Sequence, residues 1–161
     1  MEYNAIDSDD LMQKLENTDI GKAILALKKD NQDSLGNCKF VPMPDRSFYK
    51  GRLKDTNREG YGENYANCFN YFGYFKNNVP HGKGAIVTEY QATYGNFMDG
   101  VLDGKGKEWR DGVSFDGTFS RGERLEGNLI SEECSYSGPF KDRLYHGKGT
   151  LVMKNGLAYK G

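Results

Sequence analysis

Basic charge is not in excess in this chain. Its 22 lysines and arginines face 23 aspartates and glutamates, for a net charge of −1. Nucleic acid as the main partner would need a clear basic surplus and is set aside. The same balance gives little support to an anionic membrane. Cysteine is scarce: Cys38, Cys68 and Cys134 lie far apart, and no two have metal-ligand spacing, which reads as reduced cytosolic thiols. No apolar run approaches the length of a membrane span, and the acidic, polar start is not a signal peptide. A soluble, intracellular protein is expected. What is abundant is aromatic residues, at 13%, and glycine, at 21 of 161.

The glycines are periodic, so they are architecture and not flexible linker. The clearest unit runs from Tyr71 to Gly84: aromatic-x-Gly-x-aromatic, a short polar turn, then Gly-x-Gly. Its first glycine recurs at Gly51, Gly73, Gly95, Gly117, Gly138 and Gly161. The first glycine of the closing pair is read at Gly60, Gly82, Gly104, Gly127 and Gly147. Two locked series define a repeat array. Each half-unit reads as a strand, with Tyr71, Gly73 and Phe75 on one face. The equivalent trios are Tyr49, Gly51, Leu53; Thr93, Gly95, Phe97; Phe115, Gly117, Phe119; and Tyr136, Gly138, Phe140. A ring from a neighbouring strand is expected to lie over each bare glycine. Asp111-Gly112 and Asn155-Gly156 suit type I′ turns between units. Asn67-Cys68, Glu89-Tyr90 and Glu132-Glu133 hold the same place and predict looser turns.

This pattern resembles the membrane occupation and recognition nexus (MORN) repeat over residues 39 to 161. The match is strongest at 71–84 and 136–149. It is partial at 93–106, where Thr93 replaces the ring and Asp103 the histidine. It is weakest at 115–128, where Leu129 is read in place of the second glycine. The expected fold is mainly β: an elongated, single antiparallel meander of stacked hairpins over 38–161, with a helical N-terminal segment and linker over 1–37. The ring face of one sheet needs cover from twist, curling or another molecule.

Residues 1–7 have no strong pattern and should fray. Ser8 can cap a short helix bearing Leu11, Met12 and Leu15. Thr18 can cap a second, bearing Ile20, Ala23, Ile24 and Leu27, with Lys28 and Lys29 at its C-terminal end and Gly21 slightly weakening it. This stretch reads as a cap over the first hairpin or as a helix for a partner or sister chain. Asn31–Asn37 reads as a polar linker. Pro42 and Pro44 confine the strand after it to a sheet edge. The sequence closes on Tyr159-Lys160-Gly161, the opening of a sixth unit, which calls for further repeats or a covering partner.

The chemistry-bearing residues are explained by the array. His81 and His146 precede glycine pairs, and Glu59, Asp103 and Glu126 are read at the same position, too mixed a set for one reaction. The stretch from Gly100 to Lys107 lacks the Ser/Thr and the strand-to-helix setting of a phosphate loop. Neither catalytic residues nor cofactor nor metal are expected. Lys83, Lys105 and Lys148, with Lys107 nearby, form a row that could meet lipid phosphates, interrupted by Tyr61 and Asn128 and flanked by acidic groups. The better candidates for protein contact are Phe72, Tyr74 and Tyr94, on the face opposite the trios, with Leu11, Leu15, Ile24 and Leu27 of the helices.

The resemblance implies a non-enzymatic scaffold for a protein partner in a cytoskeletal or ciliary assembly, in the cytoplasm or axoneme, with self-association into a homodimer possible. A phosphoinositide- or membrane-tethering module, and an accessory domain of a longer enzyme-containing protein, are the alternatives.

Overall fold

A computed structural model describes residues 8–161; the expectation for residues 1–7 lies outside them. Three helices come first: α1 (Asp9–Leu15), α2 (Asp19–Asp30) and α3 (Gln32–Leu35). Thirteen strands follow: β1 (Val41–Pro42), β2 (Phe48–Lys54), β3 (Asn57–Tyr65), β4 (Asn70–Lys76), β5 (Val79–Val87), β6 (Gln91–Met98), β7 (Val101–Arg110), β8 (Val113–Ser120), β9 (Glu123–Ile130), β10 (Cys134–Lys141), β11 (Leu144–Tyr145), β12 (Thr150–Met153) and β13 (Ala158–Lys160). They form one antiparallel meander in chain order, with β11 pairing back on the far end of β10.

The ring face covers itself. Tyr49, Tyr71, Phe115 and Tyr136 are all nearly inaccessible, yet among the described residues no second layer lies over them. Each ring folds over the glycine two residues ahead on its own strand and over that glycine's cross-strand partner. The covering ring thus comes from the same strand, not from a neighbour as expected. A Cβ on Gly84 would stand 2.6 Å from Tyr71 Cζ, so only glycine admits the ring. The tyrosine hydroxyls donate to carbonyls three residues on: Tyr49 to Arg52 at 2.9 Å, Tyr71 to Tyr74 at 2.8 Å, Tyr136 to Pro139 at 2.9 Å. Burial pushes the Tyr49 pKa up to about 12. Where Thr93 replaces the ring, Leu102 and Phe119 close over Gly95 and Gly106 instead.

The rings also join one repeat to the next. Tyr49 meets Phe75 at 5.4 Å, Tyr71 meets Phe97 at 5.4 Å, and Phe115 meets Phe140 at 5.2 Å, all edge to face. Such pairs add roughly 1 kcal/mol each beyond area burial. Cover for this face is therefore supplied by curling of the hairpins, which in the first four repeats is accompanied by a bulge at or just after the central glycine. At the bulge the first glycine of the closing pair takes a left-handed φ, +100° at Gly82.

The pairing corrects the register of the fourth repeat. Gly127 faces Gly117 as Gly84 faces Gly73 and Gly106 faces Gly95. Gly127 is thus the second glycine of its pair, and the first is the one missing. Leu125-Glu126 stands where the second repeat has His81-Gly82-Lys83, so the bulge is one residue shorter. It follows that Glu126, not Asn128, holds the lysine-row position, and the histidine position has no counterpart here. Spacing alone misaligned these because the deletion falls between the two glycine series.

In the second to fifth repeats the hairpin closes on a pair of residues of positive φ, Asn77-Asn78, Asp99-Gly100, Arg121-Gly122 and Asp142-Arg143, and in the first on Asp55 alone. Between repeats, Asp111-Gly112 has the same paired positive φ, as expected of a type I′ turn. At Asn155-Gly156 only Gly156 does, and Asn155 Oδ1 accepts from Leu157 N instead. Two of the turns expected to be looser are held by a hydroxyl. Thr88 Oγ1 accepts from Gln91 N at 2.9 Å, and Ser131 Oγ from Cys134 N at 3.2 Å.

The helices lie on the opposite face. Leu11, Leu15, Ile20 and Ile24 pack with Phe72, Ala85, Val87, Ala92 and Trp109; Leu27 and Leu35 pack with Tyr61. Helix α2 therefore reaches the first hairpin at its C-terminal end through Leu27, where α3 also lies against β2 and β3, and crosses β4 to β7 in mid-sheet. Small Ala85 and Ala92 leave a shallow seat there, which the sequence-level reading did not weigh. Thr18 caps α2 by accepting from Gly21 N at 3.1 Å. Ser8 makes no side-chain cap bond and instead accepts from Asn70 Nδ2 at 3.0 Å. Gly21 is no mere weakness, since a Cβ there would collide with the Leu15 carbonyl where α1 turns into α2. The expected linker contains α3, with Leu35 buried.

At the other end of the pattern, β1 is a two-residue edge strand on β2. Beneath the adjoining turn, Arg58 is 4% exposed. Its guanidinium donates to Asp45 Oδ2 at 2.8 Å, Ser47 Oγ at 2.7 Å, Asn64 Oδ1 at 3.0 Å and Asn78 Oδ1 at 2.7 Å. Removing it strands buried acceptors, so Arg58→Ala should lower stability by about 3 kcal/mol in urea unfolding. Burial opposes the charge on Asp45, but hydrogen bonds from Ser47 and the Arg58 guanidinium outweigh it and hold its pKa below the usual 3.8. Its contribution is fully present above that value and is lost as pH falls through the lower folded one. An Asp45→Asn variant should show a shallower acid-induced decline in that window; an unchanged pH profile would discount the pair.

Candidate interaction surface

The residues expected to meet a partner through the helical face are largely used within the chain. Phe72, Leu11, Leu15 and Ile24 meet in one buried cluster, and Leu27 in its neighbour, with half-buried Tyr94 touching both. Lys28 Nζ stands 4.1 Å from the Phe72 ring centroid and 3.7 Å from Glu63 Oε2; Lys14 Nζ stands 5.3 Å from the Trp109 ring. Of this set, Tyr74 is the one classed as exposed, and its hydroxyl donates to Asn31 Oδ1 at 2.9 Å. The amphipathic spacing was legible; which surface it would bury was not.

The lysines share the helical face, as their cross-strand partners show: Lys83 pairs with Asn96 and Lys105 with Thr118. Lys83, Lys105 and Lys148 are exposed. Lys107 is paired with Asp116, and Glu126 breaks the row between Lys105 and Lys148.

The residues before the glycine pairs bind the next repeat. Glu59 Oε2 accepts from Asn77 N at 2.9 Å, and Asp103 Oδ2 from Arg121 N at 3.1 Å. His81 Nδ1 lies 4.0 Å from Asp99 Oδ1. Backbone bonds run alongside: Asn78 N to Arg58 O, Gly100 N to Pro80 O and Gly122 N to Leu102 O, at 2.7–3.0 Å. The tips at Asn77-Asn78, Asp99-Gly100 and Arg121-Gly122 are thereby fixed to the strand before them.

Fixing the tips exposes an apolar ridge that the sequence reading missed. Val79 flanks the Asn77-Asn78 tip, Met98 and Val101 the next and Leu144 the Asp142-Arg143 tip, all exposed, Leu144 at 69%; the Arg121-Gly122 tip between them is flanked by Ser120 and Glu123. Adjacent tips touch, since a Cβ on Gly100 would stand 3.6 Å from Val79 Cγ1, and one on Gly122 3.7 Å from Val101 Cβ. The available signal was an apolar residue beside three of the turn pairs, which the two-residue alternation alone does not single out. Exposed apolar residues on rigid backbone have little ordering entropy left to lose on contact.

Three segments of the chain, residues 71–85, 94–114 and 136–158, match the family model of the MORN repeat. Those three segments are similar to MORN repeats, and the hairpin meander is the form they take here. Such repeats mark a protein-interaction or membrane-associated module that is generally non-catalytic. A search of curated proteins gives no match.

Proposed function

We propose that this chain is a non-enzymatic scaffold that holds a protein partner in a cytoskeletal or ciliary assembly of the cytoplasm. The observation that carries the reading is the exposed apolar set of Val79, Met98 and Val101 on tips locked to one another, with Leu144 at a further tip. The groups that could have done chemistry support it as well, because Glu59 and Asp103 are engaged in holding the next tip. Lipid phosphate is the weaker reading: three separated lysines near an anionic leaflet contribute only about 1 kcal/mol each, and Glu126 opposes them.

Proximity labelling and cross-linking in cells test this, comparing wild type with a Val79→Ser, Val101→Ser, Leu144→Ser variant. The expected result is a set of cytoskeletal or ciliary proteins that the variant loses while its melting temperature holds. In parallel, the purified chain should not float with vesicles containing phosphoinositide. Flotation abolished by charge reversal of Lys83, Lys105 and Lys148, with unchanged labelling in the ridge variant, would replace the protein scaffold with a lipid tether.

A further inference from the structure

The rim of the sheet away from the hairpin tips carries the turns between repeats. Two of them, Glu89-Tyr90 and Asp111-Gly112, stand beside α1 and border a cavity of about 190 Å³. Asp10 and Lys14 of α1 line it, with Glu89, Tyr90, Trp109 and Asp111 of the sheet. The backbone here is already set. Thr88 Oγ1 accepts from Tyr90 N at 3.1 Å and from Gln91 N at 2.9 Å, and Asp111-Gly112 has paired positive φ. Tyr90 is thus presented on a fixed turn with 66% of its surface exposed, and little ordering is left to do on contact.

Two separate properties of the walls suit a cation. The first is charge: three carboxylates and one ammonium line the cavity, in a chain whose net charge is only −1. Arg110 Nε is 3.7 Å from Asp111 Oδ2, but both side chains are mostly exposed and the pair is screened. Among the described residues no ion pair engages Asp10 or Glu89. The carboxylates do not converge as a metal ion would require. The second property is the indole. Lys14 Nζ stands 5.3 Å from the Trp109 ring centroid, so the chain itself lays a cation on that ring. Lys14 is exposed and its stem is flexible. A guanidinium fits the same place better, because it stacks on rings and meets a carboxylate through two parallel N–H bonds.

We propose that this cavity binds an arginine side chain from a basic segment of a partner protein. The guanidinium takes the place of Lys14 on Trp109, pairs with Glu89 and Asp10, and is flanked by the Tyr90 ring. The inference rests on the protein-scaffold reading and adds to it the charge of the partner. Its site lies on the other rim from Val79, Met98 and Val101, so the two contacts can be lost one at a time.

The probe is a synthetic peptide of alternating glycine and arginine, titrated into the full chain with Trp109, the sole tryptophan, as reporter. The arginine peptide should change the emission saturably, and less tightly as salt rises. The same peptide with neutral citrulline in place of arginine should not. Glu89→Gln and Tyr90→Ala, both at exposed turn positions, should each weaken binding about fivefold with the melting temperature unchanged. Lys14→Gln should tighten it, because the competing cation is gone. No saturable change, an equal response to the citrulline peptide, or weaker binding by Lys14→Gln overturns the proposal. So does binding that Glu89→Gln and Tyr90→Ala leave intact, or a dimer in light scattering that these two variants dissociate, which would assign the cavity to a second copy. The Val79→Ser, Val101→Ser, Leu144→Ser variant should bind the peptide as wild type does, so failure of the tip surface and failure of this cavity are told apart.

Discussion

Gly84→Ala should lower the free energy of unfolding by about 3 kcal/mol, at the upper end of what overpacking a tight site does. The new methyl would arrive within 2.6 Å of Tyr71 Cζ, and Tyr71 has nowhere to go. Its ring is flanked by Phe75 at 4.9 Å and Phe97 at 5.4 Å, and its hydroxyl is tied to the Tyr74 carbonyl. Relief would mean opening the hairpin or breaking contact with the next repeat. Gly112→Ala is the matched control, with nothing within 4 Å but a φ of +81°. There the change should cost about 1 kcal/mol, from backbone strain alone. Urea unfolding of both variants separates the two causes. Equal losses would mean that the ring over the glycine can swing aside, and that the glycine series reflects backbone conformation only.

The second large effect is expected at Ile24→Ala. Ile24 is fully buried between α1 and the sheet, among Leu15, Phe72 and Trp109. Truncating an isoleucine in such a place typically removes about 3 kcal/mol through lost transfer energy and the cavity left behind. Trp109 is the sole tryptophan, so its emission reports on this seat directly. A red shift in the variant at low urea, ahead of loss of the strand signal, is the expected result. If emission and stability both match wild type, the helices contribute nothing to holding the sheet, and the face beneath them would be open to other occupants.

Much of the sheet was legible because its constraint is local and repeated. An aromatic ring two residues before a glycine is enough to fix which face closes, and five copies fix the hairpin order. What failed did so at features that repetition cannot average. Leu125-Glu126 is one residue short, and the two glycine series slid past each other there. Gly21 looked like a poor helix residue because its reason, the Leu15 carbonyl, comes from the preceding helix. Likewise α2 has the spacing of any amphipathic helix, and its seat over β4 to β7 depends on two alanines in strands some 60 residues away. The surface candidates suffered most. Rings such as Phe72 looked spare because their cover is distant in sequence, whereas the tip ridge looked unremarkable because valines beside turns are ordinary.

The lock between three successive hairpin tips, from Asn77-Asn78 to Arg121-Gly122, and the strands before them has a mechanical consequence. Tension applied at the C-terminal side would load one hairpin at a time, each letting go before the next is stressed, so the array would yield in steps like a peeled strip. That unravelling would halt where α1 and α2 splint β4 to β7. Force would then have to shear a helix layer off the sheet at once, and the N-terminal half would serve as the anchor of the ribbon.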